Sequence, residues 1–248
     1  MPRHYLQKGL FITGTDTGVG KTVVAAGLVR LARRRGFRAF AVKPVETGCA
    51  VQGGMLYPED GAFLRNASQN DVNLDECVPF RFSLPASPAR AAAAAGSGLH
   101  LADIEEHVRT LAENADLIVV EGAGGLMVPI QGSLMMIDLV HRLGYPSLIV
   151  ARSKLGTVNH TLLSLNALKQ RQIEAAGVVL SCSSDDRGPE EEFTTGDISR
   201  LAPDIPVLVL PHLSHAIRTD PDKIAEVMSR TWPAQVLNRL IGMEPDTH

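Results

Sequence analysis

The chain is short of cysteine, of long apolar runs and of any excess of charge. Its 248 residues include only three cysteines, Cys49, Cys77 and Cys182. Their spacing matches no metal site and an odd count pairs off incompletely, so free thiols in a reducing compartment are expected. No apolar run approaches a membrane span, and Met1 to Lys8 lacks the apolar stretch of a signal peptide. A net charge of −3 removes the basis for general nucleic-acid affinity. The expected setting is therefore cytoplasmic, with neither membrane nor nucleic acid as a partner. The Gly-x-Ser-x-Gly elbow of serine hydrolases is absent, as is the HExxH of zinc enzymes. Arg30, Arg33, Arg34, Arg35 and Arg38 do cluster. They fall at the end of a predicted helix, where cations suit the helix dipole, and are read as a solvated helix end.

What is present is an ordinary globular balance, 45% hydrophobic and 21% charged, in a length that suits one α/β domain over residues 1–248. Short, nearly continuous apolar runs occur at Gly9–Thr13, Arg38–Lys43, Asp116–Glu121, Pro146–Ala151, Ala176–Ser181 and Pro206–Leu210. Runs of this kind suit strands covered on both faces. Helical patterns lie between them at Val23–Ala32, Leu101–Ala112, Leu134–Leu143, Val158–Gln170 and Asp197–Leu201. The five alanines Ala91 to Ala95 read as a packed helix after Pro88, with Ser87 in the N-cap position. Ser183 to Thr195 is polar and acidic and reads as a mobile surface loop. The alternation predicts an α/β fold, a doubly wound and mostly parallel sheet flanked by helices. Ligands on such a sheet bind beyond the carboxyl ends of the strands.

The residues at those ends carry the chemistry. Gly14 to Thr22 reads GTDTGVGKT between the first strand and the first helix. In that context backbone N–H groups and the helix N-terminus face one anion. Lys21 adds a full charge for the terminal phosphates, and Thr22 offers a hydroxyl to Mg²⁺. The spacing is a variant, because Thr15 stands where the common loop has its first glycine and Gly14 lies one residue earlier. After the second strand comes KPVETG, whose Lys43 points a second cation at the same crevice. After the third comes Glu121-Gly122-Ala123-Gly124-Gly125, an acid placed to hold Mg²⁺ and small residues that let backbone approach phosphates. After the fourth, Gly156 and Thr157 open a helix and make a further anion site. His160 beside them has no acidic orienter and reads as a hydrogen-bonded structural residue. His100, His107 and His141 carry no expected chemistry.

Taken together, GTDTGVGKT, KPVETG, VEGAGG with Pro129 behind it, and KLGTVNHTLL resemble the dethiobiotin synthase family. The resemblance spans roughly the first two-thirds of the chain. It implies an ATP-dependent cyclo-ligase that joins CO₂ to 7,8-diaminononanoate through a carbamate and a carbamic–phosphoric anhydride. It also implies that Gly18, Val19, Gly20, Lys21, Thr22 and Val23 cradle the triphosphate, and that Thr22, Asp60 and Glu121 hold Mg²⁺. Asp60 opens a short helix in the stretch Glu59 to Leu64. Lys43 and Lys21 would be the catalytic lysines, Thr47 would touch the substrate, and Gly122, Ala123 and Gly124 would line the phosphates. A homodimer is implied, with Leu155, Gly156, Thr157, Val158 and Asn159 of one subunit holding the substrate carboxylate of the other. Ser181-Cys182 stands where many members carry an Asn-Asp pair that reads adenine, and Pro211-His212-Leu213 where they carry a Pro-Trp-Leu-like segment. The preferred base therefore stays open. So do two other classes that share the fold. Partition-type switch ATPases usually carry an extra lysine at the position of Asp16, and P-loop amidoligases of corrinoid synthesis usually carry a glutaminase domain that 248 residues do not accommodate.

Overall fold

A computed structural model describes residues 9–182 and 189–242. The N-terminal stretch read for a signal peptide lies outside the described residues, as does the 183–188 part of the acidic segment. In chain order the first half runs β1 (Gly9–Gly14), α1 (Lys21–Arg34), β2 (Ala39–Val42), β3 (Val45–Thr47), β4 (Ala50–Gln52), β5 (Met55–Tyr57), α2 (Glu59–Ala67), α3 (Leu74–Cys77), β6 (Phe80–Phe82), α4 (Pro88–Ala94) and α5 (Leu101–Glu113). The second half runs β7 (Leu117–Gly125), β8 (Pro129–Gln131), β9 (Leu134–Met135), α6 (Met136–Leu143), β10 (Ser147–Arg152), α7 (Thr157–Gln170), β11 (Ala175–Ser181), α8 (Pro189–Leu201), β12 (Val207–Leu210), α9 (His215–Arg218), α10 (Pro221–Thr231) and α11 (Ala234–Leu240).

Six strands form one sheet in the order β12-β11-β10-β1-β7-β2. Every pairing in it is parallel. These are the six strands expected from the apolar runs. Their continuity follows from burial on both sides, because successive side chains alternate between faces. Leu10 and Ile12 pack with α1 and α10 on one face, while Phe11 packs with Ile118, Val120 and Ile149 on the other. Since β1 is central and β7 and β10 flank it, the loop after β1 opens between two neighbouring strand ends. That is where a doubly wound sheet leaves its crevice.

Several expectations need correction. Leu134–Leu143 is not wholly helical. Leu134 and Met135 pair back with Pro129–Gln131 as a small ribbon, and the Asp138 carboxylate then accepts the Met135 N–H at 2.8 Å to start α6. The acidic segment is not a loop over 189–195, where α8 begins at Pro189, a residue favoured at the first helical position. The arginines form a solvated helix end only in part, since Arg34 and Arg38 are exposed but Arg30, Arg33 and Arg35 are not. Arg30 is buried and donates to the Asn66 carbonyl at 2.7 Å, Arg34 pairs with Asp222 at 3.0 Å, and Arg35 donates to Asn238. They tie α1 to the helices beside it. The alanine run is packed only at Ala91 and Ala92, and Ser87 takes the N-cap position without a side-chain cap bond.

Candidate active site

Helix α1 starts with an open end. Its first intrahelical bond runs from Val24 N to Gly20 O at 3.1 Å. The amides of Lys21, Thr22 and Val23 therefore precede the ladder, and no acidic residue sits in the first turn to neutralise them. Lys21 folds back over the loop and donates from Nζ to the Asp16 carbonyl at 2.9 Å. The variant spacing has a steric reason. A Cβ on residue 14 would lie 2.8 Å from the Asp16 carbonyl oxygen and 3.0 Å from Lys21 Nζ, so this position accepts only glycine. Burial pushes the Lys21 ammonium below the ordinary lysine range, against the pull of Glu121.

Facing the loop are three side chains brought from separate elements. Glu121, inside β7, is 1% exposed. Its Oε1 accepts the Thr22 hydroxyl at 3.0 Å and the Lys43 ammonium at 3.1 Å. Lys43 follows β2, held by its own N–H to the Cys77 carbonyl at 2.9 Å, and it also ion-pairs with Asp60 in the first turn of α2. Burial works against the charge on Lys43, but Glu121 and Asp60 outweigh it and raise its pKa above the ordinary lysine value. The two lysines thus differ in kind, one desolvated and one pinned between carboxylates.

Glu121 Oε2 is buried and has no hydrogen-bond partner. A buried, unpartnered carboxylate oxygen beside a hydroxyl and a second carboxylate is a donor set for a hard cation such as Mg²⁺. No cluster of three or more His, Cys, Asp or Glu side chains suited to a metal exists among the described residues. A cation here would rest on mixed donors, so the residues present fit Mg²⁺ with phosphate oxygens completing its shell.

A cleft of about 980 Å³ gathers Gly18, Gly20, Lys21, Thr22, Val23, Lys43, Thr47, Asp60, Glu121, Ala123 and Gly124. A smaller hollow of about 190 Å³ continues from it and gathers Val19, Ser181, Pro211, His212 and Leu213. Gly122 lies in neither. It packs on Phe11, whose ring would be 2.9 Å from a Cβ there. Residues 155–159 do not reach either hollow of their own chain. Leu155 is 91% exposed, and Thr157 is buried with its hydroxyl donating to the Arg152 carbonyl. His160 is exposed and its ring has no hydrogen bond among the described residues, unlike the structural histidine expected there. His107 does bond, to the Glu76 carbonyl at 2.7 Å, and His100 to Gln131 at 2.9 Å. All three cysteines are buried and none forms a disulfide, and burial pushes the Cys77 thiol up to about 12.

Sequence reading missed Glu46, Arg152 and Arg218. Glu46 stands inside the quoted KPVETG and is one residue from Thr47, so alternation along an extended segment could have separated its face from that of its neighbours. Arg218 lines both hollows, and Arg152 donates to the Gly18 carbonyl at 2.7 Å.

A glycine loop running from a central parallel strand into an uncapped helix, with lysines and carboxylates converging on it, defines a P-loop nucleotide-binding protein. Two solved structures share this fold over nearly their whole length. The septum site-determining protein MinD complexed with Mg-ADP from Pyrococcus horikoshii OT3 matches with a TM-score of 0.57 at 16% identity, over 95% of each chain. A ParA family ATPase from Chlorobium tepidum TLS matches with a TM-score of 0.55 at 14% identity, over 96% of each chain. A family model described as an AAA domain matches residues 8–221.

Curated relatives narrow the class. The ATP-dependent dethiobiotin synthetase BioD of Anaeromyxobacter dehalogenans (strain 2CP-C) is 44% identical over 82% of this chain and 90% of its own. That of Thermodesulfovibrio yellowstonii is 35% identical over 94% of this chain and 99% of its own. That of Methanocaldococcus jannaschii is 40% identical over 71% of this chain and 80% of its own. The chain belongs to the ATP-dependent dethiobiotin synthetase family.

Proposed function

We propose that this protein closes the ureido ring of dethiobiotin from 7,8-diaminononanoate, CO₂ and ATP, a step of biotin biosynthesis. The observation that carries the reading is the convergence of Thr22, Glu121, Lys43 and Asp60 on the phosphate loop. One substrate amine takes up CO₂, releases a proton and becomes a carbamate. A carbamate oxygen attacks the γ-phosphate of ATP, and ADP leaves. The second amine attacks the carbonyl of the resulting anhydride, and phosphate leaves as the ring closes.

This sequence needs charge neutralisation and alignment more than a nucleophilic side chain. Lys21 and the amides at the start of α1 bind the triphosphate. Lys43 lies between the loop and Thr47 and stabilises the charge on the transferring phosphoryl group. Thr47, on the cleft wall, orients the diamine. Thr22, Asp60 and Glu121 would hold Mg²⁺, which when bound neutralises phosphate charge. Ser181 and Pro211–Leu213 form the floor for the base. The stretch Leu155–Asn159, exposed at Leu155, Gly156 and Asn159, serves a second subunit of a homodimer, holding the substrate carboxylate by the start of α7. A cytoplasmic setting suits three buried cysteines that form no disulfide.

The test is direct. Purified protein is mixed with diaminononanoate, bicarbonate, Mg²⁺ and ATP, and the ureido product is sought by mass. Product that appears only with all four components is the expected result. ATP turnover with no product would return the reading to a switch ATPase, a class that Asp16 in place of a loop lysine does not favour.

A further inference from the structure

We propose that Glu46 is a positioning residue that sets Asp60, and through it Lys43, for phosphoryl transfer. The inference rests on the function proposed above but on different residues. Glu46 is the middle residue of β3, which pairs with β6. Alternation sends its neighbours Val45 and Thr47 to the cleft wall and turns Glu46 away from it. Its side chain is nevertheless buried, 6% exposed. A carboxylate in that position is costly unless its oxygens are bonded.

Both oxygens are bonded, and to one target. Oε1 accepts the Asp60 N–H at 3.2 Å and Oε2 accepts the Gly61 N–H at 2.9 Å. These are early amides of α2, which have no acceptor within the helix. A helix start is usually capped by the residue just before it. Here that residue is Pro58, which makes no side-chain cap bond. The task falls to a residue 14 positions from Asp60 along the chain, on a strand between Lys43 and Thr47. The seat is tight, since a Cβ on Gly61 would lie 2.0 Å from Val78 Cγ2. Lys43, Thr47 and Asp60 are thereby fixed to one another. Asp60 pairs with Lys43, Lys43 with Glu121, and Glu121 with Thr22. Removing the Glu46 carboxylate frees the start of α2 while every side chain that lines the cleft keeps its own chemistry.

The experiment compares Glu46→Gln with wild type, alone and in an Asp60→Asn background. Glu46→Gln is expected to lower kcat roughly tenfold to a hundredfold, with the KM for ATP changed less than about threefold. In the Asp60→Asn background, read by single-turnover phosphate release, the same change is expected to cost no more than about twofold, because both act through one carboxylate. Hydrogen exchange on protein without nucleotide or metal is expected to show the Asp60 and Gly61 amides less protected in Glu46→Gln. An unchanged kcat overturns the proposal. So does a full further loss in the Asp60→Asn background, which assigns Glu46 to the fold at large or directly to Lys43. Should Glu46→Gln fail to fold, Glu46→Asp, one methylene shorter, serves in the same comparison. Wild type that forms no dethiobiotin tells against the function itself. Exchange at the two amides still decides this inference, and undiminished protection there defeats it.

Discussion

The large cleft and the small hollow share Gly18, Gly20, Val23 and Arg218. They are nonetheless built in different ways. In the cleft, a hydroxyl from α1 and charged side chains from β7, α2 and the end of β2 lock one another in place. In the hollow, the ends of β11 and β12 are joined by main chain, with Cys182 N–H donating to the Leu210 carbonyl at 3.0 Å. No carboxylate or carboxamide lines the hollow among the described residues. Under the function proposed above, phosphate chemistry falls to side chains whose loss is costly, and the base to surroundings with little power to discriminate.

The largest effect expected on the phosphate side is that of Lys43→Ala. Dethiobiotin formation should fall on the order of a thousandfold or more, the scale of losing a cation at a transferring phosphoryl group. ATP affinity by calorimetry should stay within about threefold, since the ground state keeps Lys21 and the loop amides. Full activity in this variant would erase the distinction between the two lysines. Lys21→Ala should act on binding instead, weakening ATP by roughly tenfold to a hundredfold, as for a lost charged hydrogen bond. Unchanged affinity would remove the loop from the binding account.

On the base side the expected effects are smaller. Turnover with ATP, GTP and CTP should agree within about tenfold, because strong rejection requires buried polar groups left unpaired by the wrong ligand. A preference of several thousandfold would place a specific reader in the hollow and collapse the contrast. The smallest effect concerns stability. Burial raises the pKa of Glu46, so the ionised form is the costly one. Its contribution to stability is full below the ordinary carboxylate pKa and is lost as pH rises through the folded value. Glu46→Gln does not titrate. Its melting temperature relative to wild type should therefore rise from pH 4 to pH 7. A difference that is flat with pH would mean that Glu46 is not the group that titrates. Paired with a fall in turnover, a melting temperature above that of wild type at pH 7 would mark the phosphate half as the one that trades stability for alignment.

Much of this contrast was legible in the sequence because it lies at the ends of short, nearly continuous apolar runs. The run at Asp116–Glu121 announces both a buried strand and the acid that terminates it, and the same holds for Lys43. Short elements left no such trace. The strands β3, β4, β5, β6 and β8 are three residues each, too few to show a period. For that reason Glu46 could be quoted within a motif yet not assigned to a face. The arginines of α1 were misread in part because their partners, such as Asn66 and Asp222, are remote in sequence. Gly122 packs on Phe11 outside both hollows, and the sequence left this open because a glycine after an acid suits phosphate approach and close packing on an aromatic ring equally well.

One feature of the sheet limits how this site can change over time. Ile12 of β1 stands opposite Glu121 of β7 in a parallel ladder. The carboxylate is thus counted off against the first strand, residue by residue. A single insertion or deletion between Leu117 and Glu121 would turn Glu121 to the opposite face of the sheet and bring an apolar neighbour toward Thr22. Substitutions along β7 can be absorbed one at a time, but a change of length there cannot. Drift in this lineage should therefore show as indels in the surface connections and as strict constancy of spacing from the start of β7 to its acid.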